Sequence, residues 1–410
     1  MRHSLIVVML FTTAAVSQID EARAMQYFKE AEALCERNGG ALWGVPLCGP
    51  IVIGDPKTRQ IVTSQEAPKV PPPPSVGYAN AALDWGGTRW TTLSWPTIPQ
   101  DQPRRARLLM HELFHRVQPR LGLLAPGLPN PHLDTAEGRY WLRLEWRGLA
   151  AALAAEGSSA DAAIADALAF RAARRRAIPS AAASERAVEI TEGLAQYTGT
   201  VLAVPSRQAA LADAIEQLKE AERQESFVRT FAYPSGAAYG LLLDRRAPQW
   251  RRTIQGSDDL GQLIEATGVR PAAELREAER RYGGEALRAA ENARAIERER
   301  RIAELQRRFV DGPVVTTPGS NNISFLTAGM TPIPGAGIVY PSMRAVAEWG
   351  VLEATEALVA TDRSTIRVAG PPSTGGDAIT GEGWTLRLAS GWVLRPGPRP
   401  GDLTVQREPR

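Results

Sequence analysis

Apolar residues recur at helical spacing along much of the chain up to about residue 309, then give way to short alternating runs after Asp311-Gly312-Pro313. In the first segment, residues 19–36, Ala22, Met25, Phe28, Ala31 and Leu34 fall on one face and predict a helix, which Asn38-Gly39-Gly40 stops. Between Ala41 and Val62 the runs LWGVPLCG, PIVIG and QIVTS predict strands, the last two joined by a turn at 55–58. KVPPPPSVG (69–77) reads as a stiff extended connector, and TRWTTLSWP (88–96) as a strand rich in Trp and Thr. Helices are then expected at about 103–118, 135–156, 159–177, 184–203 and 206–223, with another starting near 234. Pro103 suits a first helical turn and Pro119 ends that helix, and a Gly/Pro-rich loop occupies 121–134. Residues 270–309 are charged and helical, interrupted at Gly283-Gly284, and predict a solvated connector. Beyond it, runs at 337–341, 348–354, 364–370, 384–389 and 391–396 read as strands between turns. No internal repeat is visible.

This pattern predicts an α+β protein with a C-terminal β domain at 313–410. The N-terminus adds an export signal. Arg2 and His3 precede an apolar run from Leu5 to Val16 and the small residues Ala14-Ala15-Val16-Ser17, which predicts a signal peptide over 1–17. The run is too short to span a bilayer before Asp20 and Glu21, and no Cys follows it to carry a lipid. The expected location is therefore exported, periplasmic or extracellular, with no stable membrane span after cleavage. The two cysteines, Cys35 and Cys48, fit that compartment and predict a disulfide. The apolar fraction of 44% and charged fraction of 23% are ordinary for a globular chain. A net charge of +3 without a dense basic stripe excludes a nucleic-acid partner.

The chemistry concentrates in LLMHELFHRVQ, from Leu108. His111 and His115 are four apart, so on a helix their imidazoles project from one face a turn apart. That spacing lets both bind one Zn²⁺, while Glu112 reaches the attacking water as general base. Leu109, Met110, Leu113, Phe114 and Val117 supply the buried side of an amphipathic helix, where a chance match would more often fall in a loop. A zinc site open to substrate needs a third protein ligand. The candidate is Glu192 in VEITEGLAQYTG (188–199), where Val188, Glu192, Ala195 and Gly199 share a helical face and the small neighbours permit close helix approach. Glu189, about 60° around that axis on 3.6-residue geometry, suits a role orienting a ligand histidine or a solvated ion pair. His132, in the Pro-rich loop, competes as third ligand.

HELFH followed by a helical EGLAQY resembles the gluzincin metallopeptidases, whose third zinc ligand is a Glu on a second helix in a Glu-Gly-x-Ala context. The resemblance covers roughly residues 80–245, and no His-x-x-Gly-x-x-His continuation points to the metzincins instead. It implies one Zn²⁺ per chain held by His111, His115 and Glu192, and Glu112 as catalytic base acting on a peptide or protein substrate. It further implies a Tyr or His hydrogen-bonding the oxyanion: Tyr239, with Tyr233 and His132 as rivals. The implied fold is zincin-like: a small antiparallel sheet, an active-site helix and a largely helical second part, together spanning 18–312. The strand at 88–95 would lie at the sheet edge beside the substrate. In the family an acidic residue follows the ligand Glu by four; here that position is Gln196. The alternative reading is an inactive zinc-binding scaffold or chaperone of the same fold. Substrate preference, endo- or exopeptidase action and oligomeric state are not encoded in any motif.

Overall fold

The computed structural model describes residues 18–408 apart from 126, 128, 326–328, 376 and 377. The expected signal peptide, 1–17, lies outside the described residues. The chain forms two compact units that divide between Arg288 and Ala289. This falls inside a long helix and not at the Gly312 boundary that composition suggests.

The first unit begins with α1 (Glu21–Asn38), capped by Asp20, whose side chain accepts from the Arg23 amide. Its buried face carries Ala24, Tyr27, Phe28, Ala31, Leu34 and Cys35, while Met25 is exposed. The inward face is thus rotated slightly from the expected one, because Tyr27 and Cys35 are buried with it. LWGVPLCG is not a strand; the chain turns through 39–45, where Gly40 and Gly44 take left-handed φ of 84° and 74°. Those turns drop Trp43 onto Phe114, ring centroids 5.0 Å apart, and bring Cys48 to Cys35 in a disulfide with Cα atoms 5.3 Å apart.

Four strands follow: β1 (Ile51–Gly54), β2 (Ile61–Thr63), β3 (Ala81–Trp85) and β4 (Thr88–Ser94), in spatial order β2-β1-β4-β3. β1 and β4 run parallel, so the sheet is mixed where an antiparallel one is expected. The Pro-rich stretch between the two hairpins provides the crossover that parallel neighbours require. β4 is also interior; the edge next to it is β3, a strand that AALDW signals only weakly.

The helices are α2 (Gln102–Val117), α3 (Ala136–Ala154), α4 (Gly157–Ala177), α5 (Ala181–Val188), α6 (Leu194–Ala203), α7 (Arg207–Ala221) and α8 (Ala232–Arg246). The short α9 (Trp250–Thr253), α10 (Leu260–Glu265) and α11 (Leu275–Arg281) follow, and then the long α12 (Gly284–Gln306). The single helix expected over 184–203 is α5 and α6 joined by a π-helical turn at Glu189–Gly193. Two close approaches hold this turn. A Cβ on Gly199 would lie 2.4 Å from the Arg107 carbonyl oxygen of α2. One on Gly236 of α8 would lie 2.2 Å from the Gly193 Cα. Glycine is required at both places.

The charged segment is solvated over its middle, with no buried residue from 292 to 304, but it packs at both ends. In the first unit α11 buries Ala278, and Tyr140 donates to Glu279 at 2.6 Å. In the second unit Leu305 and Phe309 pack with Ile333, Val339 and Leu358. That unit carries an eleven-stranded sheet among the described residues, largely antiparallel, with a core around Trp349, Leu352, Ile366, Trp384 and Leu386.

Candidate metal centre

α2 is built to hold its histidines still. Asp101 caps it by accepting from the Arg104 amide, Pro103 sits in its first turn, and Leu109, Met110, Leu113, Phe114 and Val117 are buried. This face fixes the helix roll and turns His111 and His115 toward α6. There they meet Glu192, which the π turn presents: the three side chains offer ligand atoms all within 4.8 Å of one another. His111 Nε2 and His115 Nε2 are 3.0 Å apart, and each lies 3.4 Å from Glu192 Oε2.

The far side of each ring is held by an amide. His115 Nδ1 is 2.8 Å from Gln118 Oε1, and Gln118 Nε2 donates to the carbonyls of Ile190 and Thr191, at 3.0 and 2.9 Å. Those two carbonyls fix which way the Gln118 amide points, so its oxygen faces the ring and Nδ1 carries the proton. His111 Nδ1 meets Gln196 Oε1 at 3.1 Å. With both Nδ1 atoms protonated, two Nε2 lone pairs and a carboxylate oxygen converge on one place. Lone pairs 3.0 Å apart repel unless a cation or a proton lies between them. Two imidazoles and a carboxylate are a zinc donor set, so these residues fit that metal.

Glu112 is 5% exposed, and its Oε2 has no hydrogen-bond partner among the described residues. Burial raises its carboxyl above the ordinary value, opposed by the neighbouring imidazoles. Burial acts on Glu192 in the same sense, but the imidazoles of His111 and His115, each 3.4 Å from its Oε2, outweigh it and hold that carboxyl well below its usual range. Tyr233, at the start of α8, stacks on His111 with ring centroids 5.3 Å apart and planes within 1° of parallel. Burial and the hydrogen-bonded Glu192 carboxylate push its hydroxyl up, so it stays protonated and able to donate.

The chain matches no protein-family model, no curated protein and no solved structure. The site therefore rests on its own geometry.

Three expected candidates lie elsewhere. Tyr239 is fully buried and donates to Glu145 at 2.7 Å, away from the histidines. His132 pairs with Glu185 at 3.0 Å. Glu189 neither orients a ligand histidine nor faces solvent, because Arg171 clamps both its oxygens, at 2.7 and 2.5 Å. Sequence reasoning passes over Gln118 and notes Gln196 only as a departure from the family's acidic residue. Their spacings, three after His115 and four after Glu192, were the available signal.

Proposed function

We propose that the protein is an exported zinc-dependent peptidase of the gluzincin type. The observation that carries this reading is the buried, unpartnered Glu112 Oε2 beside a convergent His111, His115 and Glu192. A pure scaffold site needs no unpaired carboxylate next to its ligands, and burying one is costly. In this reading His111, His115 and Glu192 hold one Zn²⁺, which supplies Lewis acidity and acidifies water. Glu112 takes a proton from the attacking water and passes it to the leaving amine. Tyr233 replaces Tyr239 as the hydrogen-bond donor to the oxyanion, since its hydroxyl lies at the site and stays protonated. The open edge of β3, which has no strand partner among the described residues, holds the substrate main chain by strand addition.

Export is supported by the disulfide and by the N-terminal apolar run; no helix among the described residues is long and apolar enough to cross a membrane. The test is metal analysis of the mature protein beside a peptide-library digest. One zinc per chain with cleavage that chelator abolishes is expected. Bound zinc with no cleavage of any peptide would favour the scaffold instead.

A further inference from the structure

We infer that Gln217 and Asp213 are positioning residues for His111, fixing from a distance which of its nitrogens carries the proton and so leaving Nε2 free for the metal; this deepens the metal-centre reading and rests on it. The need arises at Gln196. An amide has two faces. If Gln196 turned over, its NH₂ would point at His111 Nδ1, make that nitrogen an acceptor and force the ring proton onto Nε2, toward His115 and Glu192. A carboxylate in that place would carry no such ambiguity.

The structure resolves the ambiguity through a closed circuit of side chains. Gln196 Nε2 donates to Gln217 Oε1 at 2.6 Å. Gln217 is also an amide, but its Nε2 donates to Asp213 Oδ2 at 2.8 Å and to Thr200 Oγ1 at 2.9 Å. A carboxylate only accepts, so Asp213 sets the Gln217 orientation, Gln217 sets Gln196, and Gln196 sets the ring. Asp213 is itself held by Arg107 Nη1, 2.6 and 2.7 Å from its two oxygens. Arg107 lies one turn before His111 on α2, so the circuit starts and ends on the helix it serves. Gln217 is only 8% exposed, which leaves little water to replace a missing bond.

The test reads the ring directly. With only four histidines in the chain, long-range ¹H–¹⁵N correlation on ¹⁵N-histidine protein, metal-free and in mildly alkaline buffer, reports the His111 tautomer. Zinc affinity by chelator competition is measured alongside. Wild type should show the Nδ1–H form. Gln217→Met, which keeps length and volume but cannot hydrogen-bond in this pattern, should shift His111 toward Nε2–H and weaken zinc binding about tenfold or more. Adding Gln196→Glu to that variant should restore both readouts, because a carboxylate has no donor face to present. An Nε2–H ring in wild type overturns the inference without any variant, even if Gln217→Met fails to fold. So does an unchanged tautomer in Gln217→Met, or an affinity loss that Gln196→Glu does not restore, which would mark a packing role. A wild type with the expected tautomer and response but no zinc binding would uphold the circuit and overturn the metal reading alone.

Discussion

Glu189 and Glu192 stand three residues apart in one π-helical turn and have opposite surroundings. Glu189 is buried in an ionic cluster that draws on four helices. Arg171 bonds Glu145, Glu189 and Asp259; Arg174 bonds Glu145 and Glu185; Arg175 bonds Glu185 and Asp259. Three guanidiniums thus face four carboxylates, with His132 and Tyr239 completing the set. Glu192 shares its place with Glu112 and two imidazoles, and no Arg or Lys pairs with either carboxylate among the described residues. In the first cluster every carboxylate has a guanidinium partner; in the second, among the described residues, neither carboxylate has one. Compensated buried charge anchors the fold, whereas an uncompensated convergence of donors is a place built for something else to bind.

The largest expected effect probes the uncompensated side. Glu112→Gln keeps shape and ligands but cannot act as a base near neutral pH, so peptide turnover should fall 10²–10⁴-fold at unchanged zinc content. Steady-state kinetics beside metal analysis check it; wild-type turnover in this variant would refute the proposed role of Glu112.

Removing each glutamate in turn tests the contrast itself. Glu189→Ala leaves the buried Arg171 guanidinium with fewer partners and should cost about 3–5 kcal/mol of stability, the usual result of breaking a buried pair. Glu192→Ala should leave stability of the metal-free protein within about 1 kcal/mol while zinc binding is largely lost. Denaturant titration and chelator competition on both variants give the four numbers. If Glu189→Ala loses zinc without losing stability, the division between anchor and ligand is wrong.

Much of this division was visible in the residue pattern, and some was not. His111, Glu112 and His115 were legible because a four-residue spacing on an amphipathic helix dictates one face. Glu192 was legible from small neighbours that allow close approach, which Gly199 against α2 and Gly193 against α8 supply. The π turn was not legible. An extra residue in a helical turn leaves the apolar periodicity nearly intact, so the stretch reads as one helix. Tyr239 was misplaced for a related reason: it and Tyr233 are six apart on one helix, and only packing decides which meets His111 and which meets Glu145. The parallel β1–β4 pair depends on how the Pro-rich crossover runs, which local propensity does not encode.

The disulfide is the next test. It ties the last turn of α1 to the turns that seat Trp43 against α2. Replacing Cys35 and Cys48 by Ser should cost about 3 kcal/mol, as the chain-entropy model gives for a short loop. It should leave zinc affinity unchanged, because neither residue touches the site. Thermal unfolding and competition titration read the two effects, and freely alkylated thiols in the unreduced folded wild type would remove the bridge.

The smallest effects separate two tyrosines on α8 that sequence alone does not distinguish. Tyr233→Phe removes a hydroxyl at the site and leaves the ring to stack on His111. If that hydroxyl assists the oxyanion, kcat should fall by about 10²-fold or more, with KM little changed, because the bond strengthens only as charge develops. Stability should move by no more than about 0.5 kcal/mol, since the Glu192 side chain is 29% exposed and water can serve it. Tyr239→Phe should behave in the reverse way. Its hydroxyl donates to Glu145 in a region without solvent, so its loss leaves a buried carboxylate oxygen one donor short and costs about 1–3 kcal/mol of stability. Turnover per folded molecule should be unaltered, because Arg171, which bonds Glu145, meets the π turn at Glu189, and that clamp survives the change. Measuring kcat at matched folded fraction decides between the two: a kinetic loss in Tyr239→Phe with none in Tyr233→Phe would return the donor role to Tyr239 and would mean that the buried cluster opens during turnover.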